Sequence, residues 1–288
     1  MRTKPLILLV AILALSSLAC GVSFNLPLTD VKTGPTQTDE INVPLSGSSL
    51  PTDLTIAFGA GELHIRPGAA NSVVEGTARY NVTDLKPDVV VNGNSVRIET
   101  GDFEIGGIPR FNDEFVNQWN LQLGDTPMNL TINSGAYKGD IDLGALSLQS
   151  LEVSDGAAEV DLRFSELNHE KMDILRYQTG ASKVSLRGLA NANTDQMIFK
   201  GGAGEYTLDF SGNLQQDLDV NIDAGMSSLE VIVPQGVPVK LFYDGGLANV
   251  NLSGDWQQSG TEYYQDGSGP SITIDINLGA GNLRLRNR

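Results

Sequence analysis

Gly202 stands in the string GGAGEYTL (201–208), and six further strings repeat its layout: FGAGELHI (58–65), DGAAEVDL (155–162), TGASKVSL (179–186), AGMSSLEV (224–231), GGLANVNL (245–252) and LGAGNLRL (278–285). With the central glycine of each set to zero, apolar residues fall at −5, −3, +4 and +6 in every copy. Around Gly202 these are Met197, Phe199, Tyr206 and Leu208. Apolar residues two apart lie on one face of a strand, because successive side chains point to opposite faces. Each copy is therefore two strand arms joined by a bend at a residue that lacks a β-carbon. Position +1 is alanine in most copies, small enough for the inside of such a bend. An eighth copy, centred on Gly135, keeps Leu130 and Ile132 but reads as two residues longer before Ile141 and Leu143.

From Gly135 onward the central glycines Gly156, Gly180, Gly202, Gly225, Gly246 and Gly279 follow at steps of 21, 24, 22, 23, 21 and 33 residues. A period near 22 marks stacked coils rather than a domain with one central core. The expectation is an all-β solenoid, a β-helix of stacked coils. In it the −5, −3, +4 and +6 residues form continuous ladders, with Leu186 on Leu208 and Leu208 on Leu229. Gly202 is expected to need positive φ, so that Gly202→Val would destabilise the bend.

With 288 residues the chain can bury a continuous core without a disulfide or metal. Its 35 acidic residues against 19 basic ones give a net charge of −16. Such a surface repels nucleic-acid phosphates and anionic headgroups, so no nucleic-acid partner is expected.

At the N-terminus Arg2 and Lys4 precede an apolar run from Pro5 to Leu15, followed by Ser16-Ser17-Leu18-Ala19 and then Cys20, the single cysteine of the sequence. A basic start, a short apolar stretch and a small residue before a cleavage point describe a signal peptide over residues 1–19. The cysteine directly after it resembles the lipobox of bacterial lipoproteins, which implies a lipid attached at Cys20 and an extracytoplasmic position on the cell membrane or cell surface. Residues 20–50, rich in Thr, Ser, Pro, Gly and Asp, are expected to be a flexible tether leading into the folded part, where Ile41, Val43 and Leu45 begin to alternate.

Between 51 and 127 the repeat is diluted. The runs 72–82 and 88–100 read as strands, Asn92-Gly93 signals a hairpin, segment 101–114 reads as a surface loop, and Trp119 shares its parity with Leu121 and Leu123, so it is expected in the core. This stretch is expected to cap the N-terminal end of a solenoid formed by residues 128–288 and continuous with it.

The strings FGAGELHI, EGTARYN, WNLQLGDTPMNLTI, GAYKGDIDLGALSL, KGGAGEYTLDFSG and INLGAGNLRL resemble the toast-rack family of bacterial envelope proteins. That family is similar to LiaF-like cell-wall stress proteins and to adhesin-like β-helical proteins. The resemblance covers residues 40–288, with 40–150 looking like the family's N-terminal domain. It implies a right-handed β-solenoid in the cell envelope with no known biochemical activity. Stress-regulating relatives often carry transmembrane helices, and no such segment stands in this sequence, so a sensor-kinase inhibitor role does not carry over.

Catalytic and metal-binding patterns are sparse. The two histidines are His64, at an outward +5 position, and His169, in the polar turn SELNHEK. No nucleophile elbow accompanies any serine. Cys and His are too few for a metal site of that kind. Asp217, Asp219 and Asp223 share one outward face, which reads as a solvated face because no calcium-binding glycine-aspartate repeat is present. Neither a cofactor nor a metal is expected. Asp140 and Asp142 are the pair of carboxylates that a carbohydrate-active enzyme on this scaffold would use, and that is the alternative function. Twenty-one residues separate Leu252 from Ile274 where other connections leave 7 to 12, and this insertion carries Trp256, Tyr263 and Tyr264. These three rings either contact a partner or pack over the last coil.

The expected function is a non-catalytic binding or scaffold module, adhesin-like or related to envelope stress. The membrane would be its partner through the lipid anchor, and an envelope protein or glycan through a long face of outward residues. His64, Asp142, Asp161, Ser185, Thr207, Glu230, Asn251 and Arg284 make up that face.

Overall fold

The structure, a computed structural model, describes residues 28–47, 50–101, 108–110 and 114–288. Cys20 and the signal segment lie outside the described residues. The chain divides into two units. In the smaller, β1 (Leu28–Asp30) pairs in parallel with a strand over Ile108–Arg110. The tether expected over 20–50 and the loop expected over 101–114 are thus partly strand, because their backbone groups satisfy one another. The tether is shortened again at Gln37–Pro44, a strand of the larger unit in which Ile41 and Val43 are buried.

The larger unit contains one 15-stranded sheet. Its N-terminal strands are β2 (Gln37–Pro44), β3 (Thr52–Ala69), β4 (Ser72–Tyr80), β5 (Pro87–Asn92) and β6 (Ser95–Thr100). With Ile108–Arg110 as β7, they are followed by β8 (Asn117–Gly124), β9 (Met128–Asp142), β10 (Leu148–Arg163), β11 (Ile174–Arg187), β12 (Gln196–Asp209) and β13 (Leu218–Val233). The last are β14 (Val239–Ser253), the short β15 (Gln257–Ser259) and β16 (Glu262–Gln265), and β17 (Ile272–Asn287).

Each repeat is one long bent strand. On β11, Leu175, Tyr177 and Thr179 point inward, Gly180 and Ala181 are both exposed, and Ser182, Val184 and Leu186 point inward again. Two consecutive outward residues switch the inward parity, so the two arms keep their apolar faces on the same side of the corner. Positions −1 and +2 join the inward columns, a detail hidden in the sequence because small or polar residues occupy them in most copies. β3 and β9 to β13 stack in parallel and in register, and their inward residues fuse into one core. The all-β solenoid of stacked coils expected from the repeat is the observed fold, and its sheet is open. Leu186 pairs with Leu208 as expected, whereas Leu208 pairs with Val231 and Tyr206 with Leu229, because like offsets align.

The central glycine is required for a different reason from the one expected. Gly202 is absent from the residues with positive φ. Instead, a β-carbon on it would fall 2.5 Å from the carbonyl oxygen of Gly180, and one on Gly180 would fall 2.4 Å from that of Gly156. The corners of successive coils touch backbone to backbone. The eighth copy is likewise of ordinary length: Asp140 pairs with Asp161 and Ile141 with Leu162, which puts Gly139 at +4 opposite Val160. The Tyr137 ring occupies the space of the missing side chain, 2.8 Å from where a Gly139 β-carbon would stand.

Both ends of the stack depart from the repeat. At the N-terminal end the two arms of β3 continue onto separate strands, the first onto β6 and the second onto β8. β5 then adds antiparallel to β6, β4 to β8, and β2 to β4. The β5–β6 hairpin turns at Gly93-Asn94, with Gly93 at φ 60, one residue later than the Asn92-Gly93 signal suggests. Trp119 is fully buried, edge-on to Phe58 at 5.1 Å between ring centroids. At the C-terminal end the strands do not stack in chain order: β17 lies between β13 and β14 and pairs with both in parallel.

Candidate functional site

The outward face of the second arms is a row of cross-strand neighbours. Glu40, Thr77, Asn120, His64, Asp140 and Asp161 stand side by side from β2 to β10, and Asn42, Glu75, Gln122 and Arg66 form a parallel row. Pleating sends these residues outward because Ile41, Leu121, Ile65 and Ile141 between them are core.

In the middle of the face several charges pair with one another. Arg66 bonds the Asp140 carboxylate and, at 2.7 Å, its backbone carbonyl. Arg163 reaches Asp140 at 3.0 Å and Asp142 at 3.1 Å. Arg187 pairs with Asp161 at 2.6 Å, and Arg286 with Glu230 at 3.0 Å. Burial alone would raise the Asp140 carboxyl, but hydrogen bonds from Arg66 and Arg163 outweigh it and hold the group below the usual carboxylate range. Asp142 is held down in the same way, with burial opposed by the Gly144 backbone N–H, the Ser165 hydroxyl and backbone N–H, and Arg163. A glycosidase needs one carboxyl protonated at working pH. Both members of this pair are held as carboxylates, so neither is suited to the acid's role.

Ser147, Asp125 and His169 do meet, but in the wrong order for a hydrolytic triad. The Ser147 hydroxyl donates to Asp125 at 2.7 Å, and His169 Nδ1 lies 3.0 Å from the other oxygen of the same carboxylate. Asp125 thus stands between serine and histidine, where a triad places the imidazole. His64 lies 3.8 Å from Glu62 and 3.5 Å from Gln118 on the outward face. Asp219 and Asp223 point outward on β13, whereas Asp217 accepts hydrogen bonds from the Ser271 backbone and hydroxyl, which lower its pKa. Among the described residues no group of three Asp, Glu, His or Cys side chains is placed to hold a metal ion.

The aromatic residues offered as partner contacts sit on the C-terminal hairpin. β16 pairs with the first arm of β14, which buries Tyr263; Trp256 is half-buried against the core and Tyr264 half-buried. Tyr263 is therefore a packing residue. In the repeats Tyr177, Phe199 and Tyr206 are buried, and Tyr243 is half-buried against the same core. At the corner of β10, Asp155 is buried and accepts hydrogen bonds from Tyr177 Oη at 2.6 Å and from Thr179 Oγ1.

The N-terminal end of the outward face is different. β2, β4, β8 and β3 together line a groove of about 650 Å³ with Ile41 and Leu121 as its floor. Glu40, Glu75, Thr77, Asn120 and Gln122 project into it, and their side chains have no hydrogen-bond partner among the described residues. Arg66 at its border is already committed to Asp140. Among the polar lining residues the sequence pointed only to His64. The alternation in EINV (40–43) and WNLQL (119–123) carries the signal for the others, but nothing in one strand tells that four of them lie abreast.

No helix among the described residues is long and apolar enough to cross a membrane. No curated relative matches the chain in sequence. A solved structure from Clostridium sporogenes, described as a putative cell adhesion protein, is 20% identical with a TM-score of 0.51, over 88% of this chain and 100% of that one. A putative adhesin from Bacteroides fragilis is 8% identical with a TM-score of 0.38, over 89% and 99%. A putative lipid binding protein from Parabacteroides distasonis is 12% identical with a TM-score of 0.33, over 89% and 99%. The family model for the N-terminal domain of toast_rack, DUF2154, matches residues 32–187 and again 166–232, so it reaches well beyond the 40–150 expected and into the repeats themselves. With the same coil recurring through the matched residues, this chain belongs to the toast_rack family.

Proposed function

We propose that this chain is a non-catalytic, adhesin-like module, anchored by a lipid at Cys20 to the outer side of a bacterial membrane, that binds a hydroxyl-rich, uncharged glycan in the groove across β2, β4, β8 and β3. The observation that carries it is the contrast along one face. Asp140, Asp142, Arg163, Asp161 and Arg187 of the middle coils are paired with each other, while the amides of Asn120 and Gln122 and the carboxylates of Glu40 and Glu75 have no partner among the described residues. Amides donate and accept, carboxylates accept, and sugar hydroxyls do both. With Arg66 held by Asp140, the groove keeps no free guanidinium for a phosphate or carboxylate ligand. The adhesion-related description of the Clostridium sporogenes protein, which has the same fold, agrees with this reading.

Two measurements test it. On an array of neutral and acidic glycans, the protein should retain neutral chains, and Asn120→Ala with Gln122→Ala should abolish retention; turnover of a glycan that is lost in Asp140→Asn would make the protein an enzyme instead. Cell fractionation should find the wild type in membranes with an acyl group on Cys20, and Cys20→Ser released or stalled before processing.

A further inference from the structure

A sheet that does not close must manage its edges, since an unpaired strand is a template for another chain. Among the described residues, the outer arms of this sheet other than the second arm of β14 carry recognised protections. β2 bears Asp39 and Glu40 and ends at Pro44; β5 opens with Pro87-Asp88; the first arm of β14 is covered by β16. The second arm of β14, Gly245–Ser253, pairs with β17 on one side and with no strand on the other among the described residues. It contains neither proline nor a charged residue, in a chain of net charge −16.

The inward columns are also unfinished at this arm. Leu252 is 43% exposed although its neighbour Leu285 is fully buried, and Val250 is half-buried beside the buried Leu283. At the corner, Leu247 is 85% exposed where alanine stands in most copies. The last coil therefore presents core residues with no further coil to cover them.

We infer that this arm pairs with the same arm of a second copy, antiparallel about a two-fold axis at Val250. That register is self-complementary. Val250 meets Val250 and Ala248 meets Leu252 on the inward side, a small residue against a large one, while Asn249 meets Asn251 on the outward side. No like charges are brought opposite each other, which matters for two molecules that repel overall. A two-fold contact of this kind closes after one partner. The hairpin over the first arm of β14 leaves the second arm as the place where a strand can add.

The test uses the full chain carrying Cys20→Ser, which keeps acylation out of the measurement, with mass read by light scattering. A dimer is expected. Asn249→Lys with Asn251→Lys changes two exposed side chains, so the monomer should keep its circular dichroism and melting temperature while the dimer is lost. Asn249→Asp with Asn251→Asp should behave likewise, and mixing the Lys and Asp forms should restore a heterodimer through the 249–251 pairing. A Cys20→Ser chain that is monomeric up to its solubility limit, whether or not it captures a strand of another protein, would overturn the inference. So would a dimer indifferent to the Lys pair, or Lys and Asp forms that fail to associate.

Discussion

Gly202 and its counterparts stack through their backbones, and that contact has a measurable cost when violated. Placing even a methyl group 2.5 Å from the Gly180 carbonyl forces the corner open, and overpacking of this sort costs about 1–3 kcal/mol. Gly202→Ala should lower the unfolding free energy from a urea titration by that amount, and Gly202→Val by more; an Ala variant as stable as wild type would show that the corner yields freely. Truncating the ladder has the complementary effect. Leu208 is fully buried between Leu186 and Val231, so Leu208→Ala should cost about 2–5 kcal/mol in the same titration. The charge pairs give a pH signature. Asp140 and Asp142 have folded-state carboxyls below the ordinary value, so their contribution is complete above the unfolded-state pKa near 3.8 and fades as pH falls through the folded values. The melting temperature should therefore drop below about pH 4, and Asp140→Asn should flatten that acid limb. A reader of the sequence can locate these residues, because −5, −3, +4 and +6 are apolar in nearly every copy. The reason for the glycine is harder to read, since a close approach between coils involves atoms 22 residues apart, whereas a positive φ is a local property.

At the scale of elements, parallel stacking was legible because each arm buries one face and repeats it at a fixed period. Register followed from the offsets, except in the copy where Tyr137 fills the space above Gly139 and imitates an insertion. The hairpin β15–β16 was legible as an interruption but its second role was not. It covers the first arm of β14 and also carries the chain back to the start of β17, a return that other coils make with 9 to 12 residues. Removing 253–270 outright joins Leu252 to Ser271 and leaves no length for that return. The deletion should then strip β14 and β17 from the sheet while β9 to β13 persist. Replacing the same residues by a flexible linker of about ten residues should let β17 insert again, at the cost of the burial of Tyr263, about 1–3 kcal/mol. Hydrogen exchange resolves the two cases: protection of β17 in the linker variant and its loss in the deletion are the expected pair of outcomes.

Across the whole molecule, the C-terminal strand is central rather than terminal. Among the described residues β14 reaches β13 and the coils before it through β17 alone, which pairs with β13 along one side and with β14 along the other. The sequence hides this, because a seventh equal copy looks as though it should stack last, and only the 33-residue step from Gly246 to Gly279 hints that the chain goes elsewhere. The physical consequence is an ordering of events. β9 to β13 have in-register neighbours as soon as each is made, so their contacts are local in the sense that limits loop-closure cost. β14 must wait with one arm against the β15–β16 hairpin until residues 272–287 arrive to fill the gap beside β13. A chain ending at residue 270 should therefore keep the folded stack from β2 to β13 and lose everything after Val233 to protease, whereas the full chain resists as a unit. If limited proteolysis of the truncated chain instead leaves β14 protected, that strand pairs directly with β13 and the gap for β17 is not a constraint on the fold.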